Sequence, residues 1–247
     1  MQKAAMPMPA QLSSIDIDKA FPRNFILLPG FVENLNTVWE DHLQTAQRKL
    51  LRKGERLLFA AGSSFAFFYI RKGLIATNIS SPSGEEMTTF FHGKGCIAGI
   101  SYFLVDVDPS PRSFVAMEDS EIFLFPKTTF NKETLISQYP DLLLNITIAS
   151  SIKILSDNSL VYILGRMRAS AKVASFILSM YEFNNRKNEF ENKLFSYGIA
   201  SLLGMHKITF SKIISELKEK NILKSFSKNI ISISDVEELK RQAHGEG

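Results

Sequence analysis

The sequence predicts an α+β protein: a compact β-roll, then one long helix, then a helix-turn-helix carrying a wing. Three observations predict it. From Leu51, short apolar runs alternate with glycine turns; after Pro140 comes a continuous apolar stretch of helical length; and near the C-terminus two short amphipathic helices meet at Gly204.

The first twenty residues are rich in Pro, Ser and Ala, so residues 1–20 are expected to form a flexible terminus. Residues 21–138 read as the roll. They open with an aromatic-rich stretch in which Glu33–Leu50, holding the only tryptophan, Trp39, is expected to be a short helix. The runs LLFAAG (57–62), FAFFYIRKG (65–73), LIATNIS (74–80), EMTTFFHGKG (86–95) and SEIFLFP (120–126) follow. Their Phe, Tyr, Ile and Thr enrichment and turns at intervals of about ten residues suit an antiparallel sandwich or roll. Ser83-Gly84 is placed as a hairpin turn between Ile79 and Met87.

Pro140 suits a first helical turn and opens a helix over 139–164. Ile148, Ile152, Leu155, Ser159 and Tyr162 recur at 4-3-4-3 spacing, the pattern of a coiled-coil seam. A helix this long and apolar exceeds what one small roll can cover, so a homodimer is expected along that seam. Residues 165–247 form the terminal domain. A hinge near Gly165 leads to a helix at Ala169–Glu182 and a polar loop at Phe183–Lys193. The two-helix motif Ser196–Leu223 follows, and Leu223–Ser225 and Ile230–Ile233 flank a Ser227-Lys228-Asn229 turn as a wing.

In the two-helix motif, Ile199, Leu202 and Leu203 mark the inner face of the first helix, and Ile208, Ile213, Ile214 and Leu217 recur on the second. The second helix also carries Lys207 and Lys212, as a helix entering a DNA groove requires. From Leu164 onward there are 14 lysines and arginines against 9 acids, a net of +5, whereas the preceding residues net −1. Attraction to phosphate is therefore concentrated where the motif lies.

Composition bounds the remaining readings. The 247 residues are 45% hydrophobic and 22% charged, as in an ordinary soluble protein, and no apolar run approaches the ~20 residues a bilayer span needs. The N-terminus lacks the apolar core of a signal peptide, so a cytoplasmic protein with no membrane association is expected. One cysteine, Cys96, excludes an intrachain disulfide and a four-cysteine cluster. No nucleophile–base arrangement, metal motif or Walker loop marks an enzyme, and no cofactor or metal is expected.

These parts, in this order, resemble the cyclic-AMP receptor protein and fumarate-nitrate regulator (CRP/FNR) family of bacterial transcription factors over nearly the whole chain. The turns Lys53-Gly54, Ala61-Gly62, Arg71-Lys72-Gly73, Ser83-Gly84 and Gly95 match the family's cyclic-nucleotide-binding-like roll, and Ser196–Leu223 aligns with its helix-turn-helix without gaps. Within the family, HKITFSK (206–212), LKEKNIL (217–223) and KNIISISDVEELK (228–240) read like the halorespiration (CprK) regulators.

The resemblance implies a homodimeric activator that binds a palindromic double-stranded DNA operator under a small-molecule effector and engages RNA polymerase. It places His206, Lys207, Ile208, Thr209, Ser211 and Lys212 at the major groove or its flanking phosphates. His206 has no metal-ligand partner nearby and reads as a phosphate donor. Ile208 stands where many members carry a glutamate, and touching a thymine methyl there would favour A·T.

The family's nucleotide segment corresponds to Gly95, Gly99-Ile100 and Arg112-Ser113. Ile100 replaces the glutamate that would accept a ribose hydroxyl, a loss of roughly 1.5–3 kcal/mol, so cyclic AMP is disfavoured. Arg112 would then pair with another anion or with Glu118 or Asp119. Lys153 lies in the apolar helix and aligns with a lysine that helps the halorespiration regulators hold a phenolate. Lys153, with Tyr102, Phe103 and the aromatic-rich Phe65–Tyr69 as apolar walls, is thus expected to meet a small aromatic anion such as a halogenated phenol. Two alternatives stay open: a redox switch at Cys96, or a roll serving as an enzyme's regulatory module.

Overall fold

The structure is a computed structural model, and it describes residues 28–58, 63–105 and 112–245. The expected flexible terminus, the Ala61-Gly62 turn and the end of the 57–62 run lie outside the described residues.

Two sheets form the roll. One has the order β1 (Phe31–Val32), β6 (Glu86–His92), β5 (Ile75–Ser80), β8 (Arg112–Ala116) and β3 (Arg56–Leu57). The other runs β2 (Gln47–Leu51), β9 (Ser120–Pro126), β4 (Phe65–Lys72) and β7 (Cys96–Ala98). Only the β1–β6 pair is parallel. Phe68, Ile70, Ile75, Phe114, Ile122 and Leu124 interlock as an apolar core of the roll, as alternation on paired sheets requires. The β5–β6 hairpin pairs Ile79 with Met87 around Ser83-Gly84, with Gly84 at φ +85°. At Gly73, φ is +102° and an added Cβ would meet Ser120 Oγ at 2.1 Å, so that turn admits only glycine.

The stretch expected as one helix over 33–50 is instead a 3-10 helix, Thr37–Thr45, followed by β2. QRKLL reads as helix because it is charged. It is strand because it pairs residue for residue with Glu121–Leu124 and Ser120 of β9, mostly exposed on its own side. Trp39 is fully buried, packing edge-on against Phe67 and Phe125 at 5.2 and 5.4 Å.

Two short helices follow in the roll, α1 (Ile100–Val105) and α2 (Lys132–Gln138). The long helix α3 runs Pro140–Arg166 and lays Leu142, Asn145, Ile146, Ala149, Ser156, Leu160 and Ile163 against its own protomer. The polar members of that face are the anchors. Asn145 Oδ1 accepts from Asn36 Nδ2 at 2.7 Å and Trp39 Nε1 at 3.2 Å, while its Nδ2 donates to the Leu35 carbonyl at 2.9 Å. Ser156 Oγ accepts from the Gly30 amide and donates to the Leu28 carbonyl, each at 2.9 Å.

After the break at Met167, α4 spans Ala169–Phe183. The expected polar loop contains a further strand, β10 (Glu189–Glu191), paired with β12 (Ile230–Ile233), which in turn pairs with β11 (Leu223–Phe226). Only Phe190 of β10 is buried, so sequence shows no strand there. Helices α5 (Ser196–Leu202), α6 (Lys207–Glu219) and α7 (Val236–His244) complete the domain. Roll and C-terminal half share one core. Leu28, Phe31, Leu74, Ala76 and Phe91 join Leu160 and Ile163 of α3 and Ile199, Leu202, Leu203 and Phe210.

Candidate effector cavity and nucleic-acid interface

The α5–α6 turn is built by hydrogen bonding. Gly204 adopts φ +61°, its amide donates to the Ser201 carbonyl, and the Met205 amide donates to the Ala200 carbonyl. This double closure ends α5 and lets α6 start at a new angle. On α6, Phe210, Ile213, Ile214 and Leu217 face the core, leaving His206, Lys207, Ile208, Thr209, Ser211 and Lys212 exposed together. Ile208, at 82% exposure, is an isoleucine with nothing to pack on. It lies on the outward face of a basic helix, between Lys207 and Thr209.

This helix pair is docked on the roll. Ser201 Oγ accepts from the Thr88 amide at 2.8 Å, and Gly198 sits so close to Phe91 that a Cβ would lie 2.6 Å from its ring. Leu202 fills the space over Gly30, and Lys193 pairs with Glu33. Helix α5 is therefore held by the same β6 strand that lines the cavity described next.

That cavity, about 750 Å³, lies between the roll and α3. Gly99, Ile100, Tyr102, Arg112 and Lys153 line it. Gly95 and Ser113 do not. Gly95 is a turn residue (φ +72°) pressed on Asn34, and Ser113 is buried with its Oγ 3.4 Å from Arg56 Nη1. Phe103 and the Phe67–Tyr69 rings are core. Arg112 has no ion pair with Glu118, Asp119 or any other carboxylate among the described residues. Its guanidinium lies 5.9 Å from the Tyr102 ring centre. Asp119 is used elsewhere, accepting from the Lys53 amide at 2.9 Å.

Lys153 Nζ donates to the Ile97 carbonyl at 2.7 Å. Burial lowers its pKa below the ordinary lysine value, partly offset by Cys96 and Asp157. The sequence reading missed His92 as a member of this wall. It is 7% exposed, its Nε2 shares a hydrogen bond with Thr77 Oγ1 at 3.0 Å, and burial first, then the Lys153 charge, push its pKa well down. Its Nδ1 is the only buried side-chain nitrogen or oxygen left without a partner among the described residues. Unfilled buried groups are costly, and none of the described residues satisfies this one. A lone histidine on a strand gives no sequence signal of that kind. Behind it Cys96 is fully buried, and burial pushes its thiol up to about 11, the opposite of an oxidation-ready thiolate.

The outward side of α3 carries apolar residues among polar ones such as Thr147, Ser151 and Asn158. Leu155 and Tyr162 of the expected seam are 53% and 63% exposed, while Ile154 and Val161, also exposed, line the cavity. Ile148, Ile152 and Ser159 lie at its flank, and Ile152 packs partly on its own roll.

Comparison with known proteins decides the family. Residues 48–135 match the cyclic nucleotide-binding domain model, and residues 171–242 match the Crp-like helix-turn-helix domain model. The chain belongs to the CRP/FNR family of transcription regulators. It is 26% identical over 185 residues to the transcriptional activator protein Anr of Pseudomonas protegens, covering 73% of this chain and 74% of that protein. It is also 26% identical over 201 residues to the fumarate and nitrate reduction regulatory protein of Yersinia pestis, covering 80% and 78%. Among solved structures, CprK complexed with OCPA superposes with a TM-score of 0.66 at 18% identity, covering 88% of this chain and 98% of CprK. A CooA mutant from Carboxydothermus hydrogenoformans gives 0.69 at 16%, covering 86% and 100%. The CRP/FNR fold places an effector-binding domain before a DNA-binding domain, in the order described above. No helix among the described residues is long and apolar enough to cross a membrane.

Proposed function

We propose that this CRP/FNR regulator is a cytoplasmic homodimeric activator that binds a palindromic operator and engages RNA polymerase when a small aromatic acid fills the roll–α3 cavity. The observation that carries this reading is the cavity's charge. Lys153 and Arg112 line it against one acid, Asp157, and Ile100, buried and apolar, stands where a ribose hydroxyl would need a carboxylate. That chemistry favours a compact anion with an apolar ring over a cyclic nucleotide. The exposed Leu155 and Tyr162 supply a face for the partner's α3, which would seat the two reading helices about one DNA turn, ~34 Å, apart. An effector touching α3 at Lys153 and β6 at His92 would act on the two elements that fix α5, shifting the balance between docked and DNA-competent arrangements.

Calorimetry with phenolic acids tests the effector reading. Lys153→Ala is expected to weaken binding roughly 10- to 150-fold, the value of a hydrogen bond to a charged group of about 1.5–3 kcal/mol. Only charged Lys153 attracts an anion, and its pKa lies below the ordinary 10.5. Affinity is therefore present at lower pH and lost as pH rises through that lowered value, sooner than for a solvated lysine. Unchanged affinity in Lys153→Ala, or a flat profile up to the ordinary lysine value, would remove Lys153 from the site.

A further inference from the structure

A second cavity, about 420 Å³, opens where the roll meets the DNA-binding half. Lys53, from the turn between β2 and β3, and Met117, just past β8, form its roll side. Phe195 and Tyr197 at the start of α5, Lys207 on α6 and Lys228 in the wing turn form the other. Lys53 Nζ stands 4.5 Å from the Phe195 ring centre and Lys228 Nζ 5.9 Å from it. None of the three lysines has a carboxylate partner among the described residues. The acid at this turn, Asp119, is engaged by the Lys53 backbone.

Three lysines from three separate elements thus line a hollow with aromatic and apolar walls and no acidic residue, two of them with their ammonium groups on the Phe195 ring. The volume suits a small molecule. We propose that this is a second ligand site, distinct from the roll–α3 cavity, that takes an aromatic anion carrying a doubly charged acidic group. Bound there, the anion joins Lys53 of the roll to Lys207 and Lys228 of the DNA-binding half. It holds the half in its docked position and withdraws Lys207 from DNA. Anion and DNA then oppose each other, and by linkage DNA weakens the anion by the same factor. The coupling to DNA rests on Lys207 as a phosphate contact; the site itself does not, and it is independent of the effector reading.

The full-length protein with 1-naphthyl phosphate as probe tests this, with inorganic phosphate as the charge-only arm. Calorimetry without DNA is expected to show naphthyl phosphate binding that weakens about tenfold or more in Lys53→Gln and persists in Lys153→Ala, where the roll–α3 cavity no longer competes for aromatic anions. In a titration with duplex DNA, the probe is expected to lower affinity several-fold for the unaltered protein and not for Lys53→Gln, which otherwise binds DNA normally. No binding at millimolar probe, equal binding by inorganic phosphate, or loss in Lys153→Ala with none in Lys53→Gln would overturn the site. Binding that depends on Lys53 yet leaves DNA affinity unchanged would overturn the coupling and count against Lys207 as a DNA contact.

Discussion

With Lys207 and Lys212 both replaced by alanine, DNA binding is expected to fall about a thousandfold while the fold is retained. Both side chains are exposed on α6, away from Phe210, Ile213, Ile214 and Leu217, so removing them opens no cavity in the core. Lys212 lies 4.0 Å from Glu216 at 79% exposure, a contact too solvated to matter for stability. In a dimer the double substitution removes four cations from phosphates. The slope of log affinity against log salt should therefore shrink by roughly 0.9 for each one lost. Affinity measured from low to moderate salt separates this from a folding defect: an unfolded protein loses the whole slope, and the variant loses part of it. A variant that keeps its affinity and salt slope would show that this face of α6 does not meet DNA. Replacing Ile208 asks a different question, since it carries no charge and should alter base preference far more than salt dependence.

Asn145→Leu is expected to destabilise the protein by roughly 3–9 kcal/mol. Asn145 satisfies three groups at once, the Asn36 amide, the Trp39 indole and the Leu35 carbonyl. All three lie in the roll, more than a hundred residues away, in a region closed to water. Leucine matches the size but leaves two donors and an acceptor unfilled, each costing about 1–3 kcal/mol. Asn36 also accepts from the Ile97 amide at 2.9 Å, and the Ile97 carbonyl receives Lys153. The damage should therefore reach the cavity wall, and effector affinity is expected to fall even where the variant stays folded. Urea unfolding measures the stability change. A loss below about 1 kcal/mol would mean that apolar burial alone seats α3 on the roll.

These two predictions draw on different kinds of legibility. The exposed face of α6 could be read directly, because amphipathic spacing and the Gly204 break are local signals. So could the β5–β6 hairpin down to the Ile79–Met87 pair and the wing strands, where turn residues and alternation agree. The edge strand β2 could not, since QRKLL owes its conformation to pairing with β9, and β10 shows only one buried residue. The α3 contact was the hardest to see. Asn145 and Ser156 look like interruptions in an apolar helix, yet they are its anchors, because their partners come from residues near 30–36. The apolar seam, read from heptad spacing, instead falls partly at the flank of the exposed face. The cavity was half legible. Lys153, Arg112, Tyr102, Gly99 and Ile100 could be placed by resemblance. His92 belongs to it only through the packing of β6 against α3, and Gly95 and Ser113 proved to be turn and core positions. Proximity of that kind is a property of the folded chain.

The central claim is that cavity occupancy controls a dimer that reads DNA through α6. The most direct measurement is to sequence fragments selected by the protein from a random DNA pool, with and without phenolic acids. The expected result is an inverted repeat with half-site centres about one helical turn apart, A·T beneath Ile208, and enrichment that depends on the acid and vanishes in Lys153→Ala. Enrichment of a single, unrepeated site, or of the same repeat irrespective of acid and of Lys153, would contradict it.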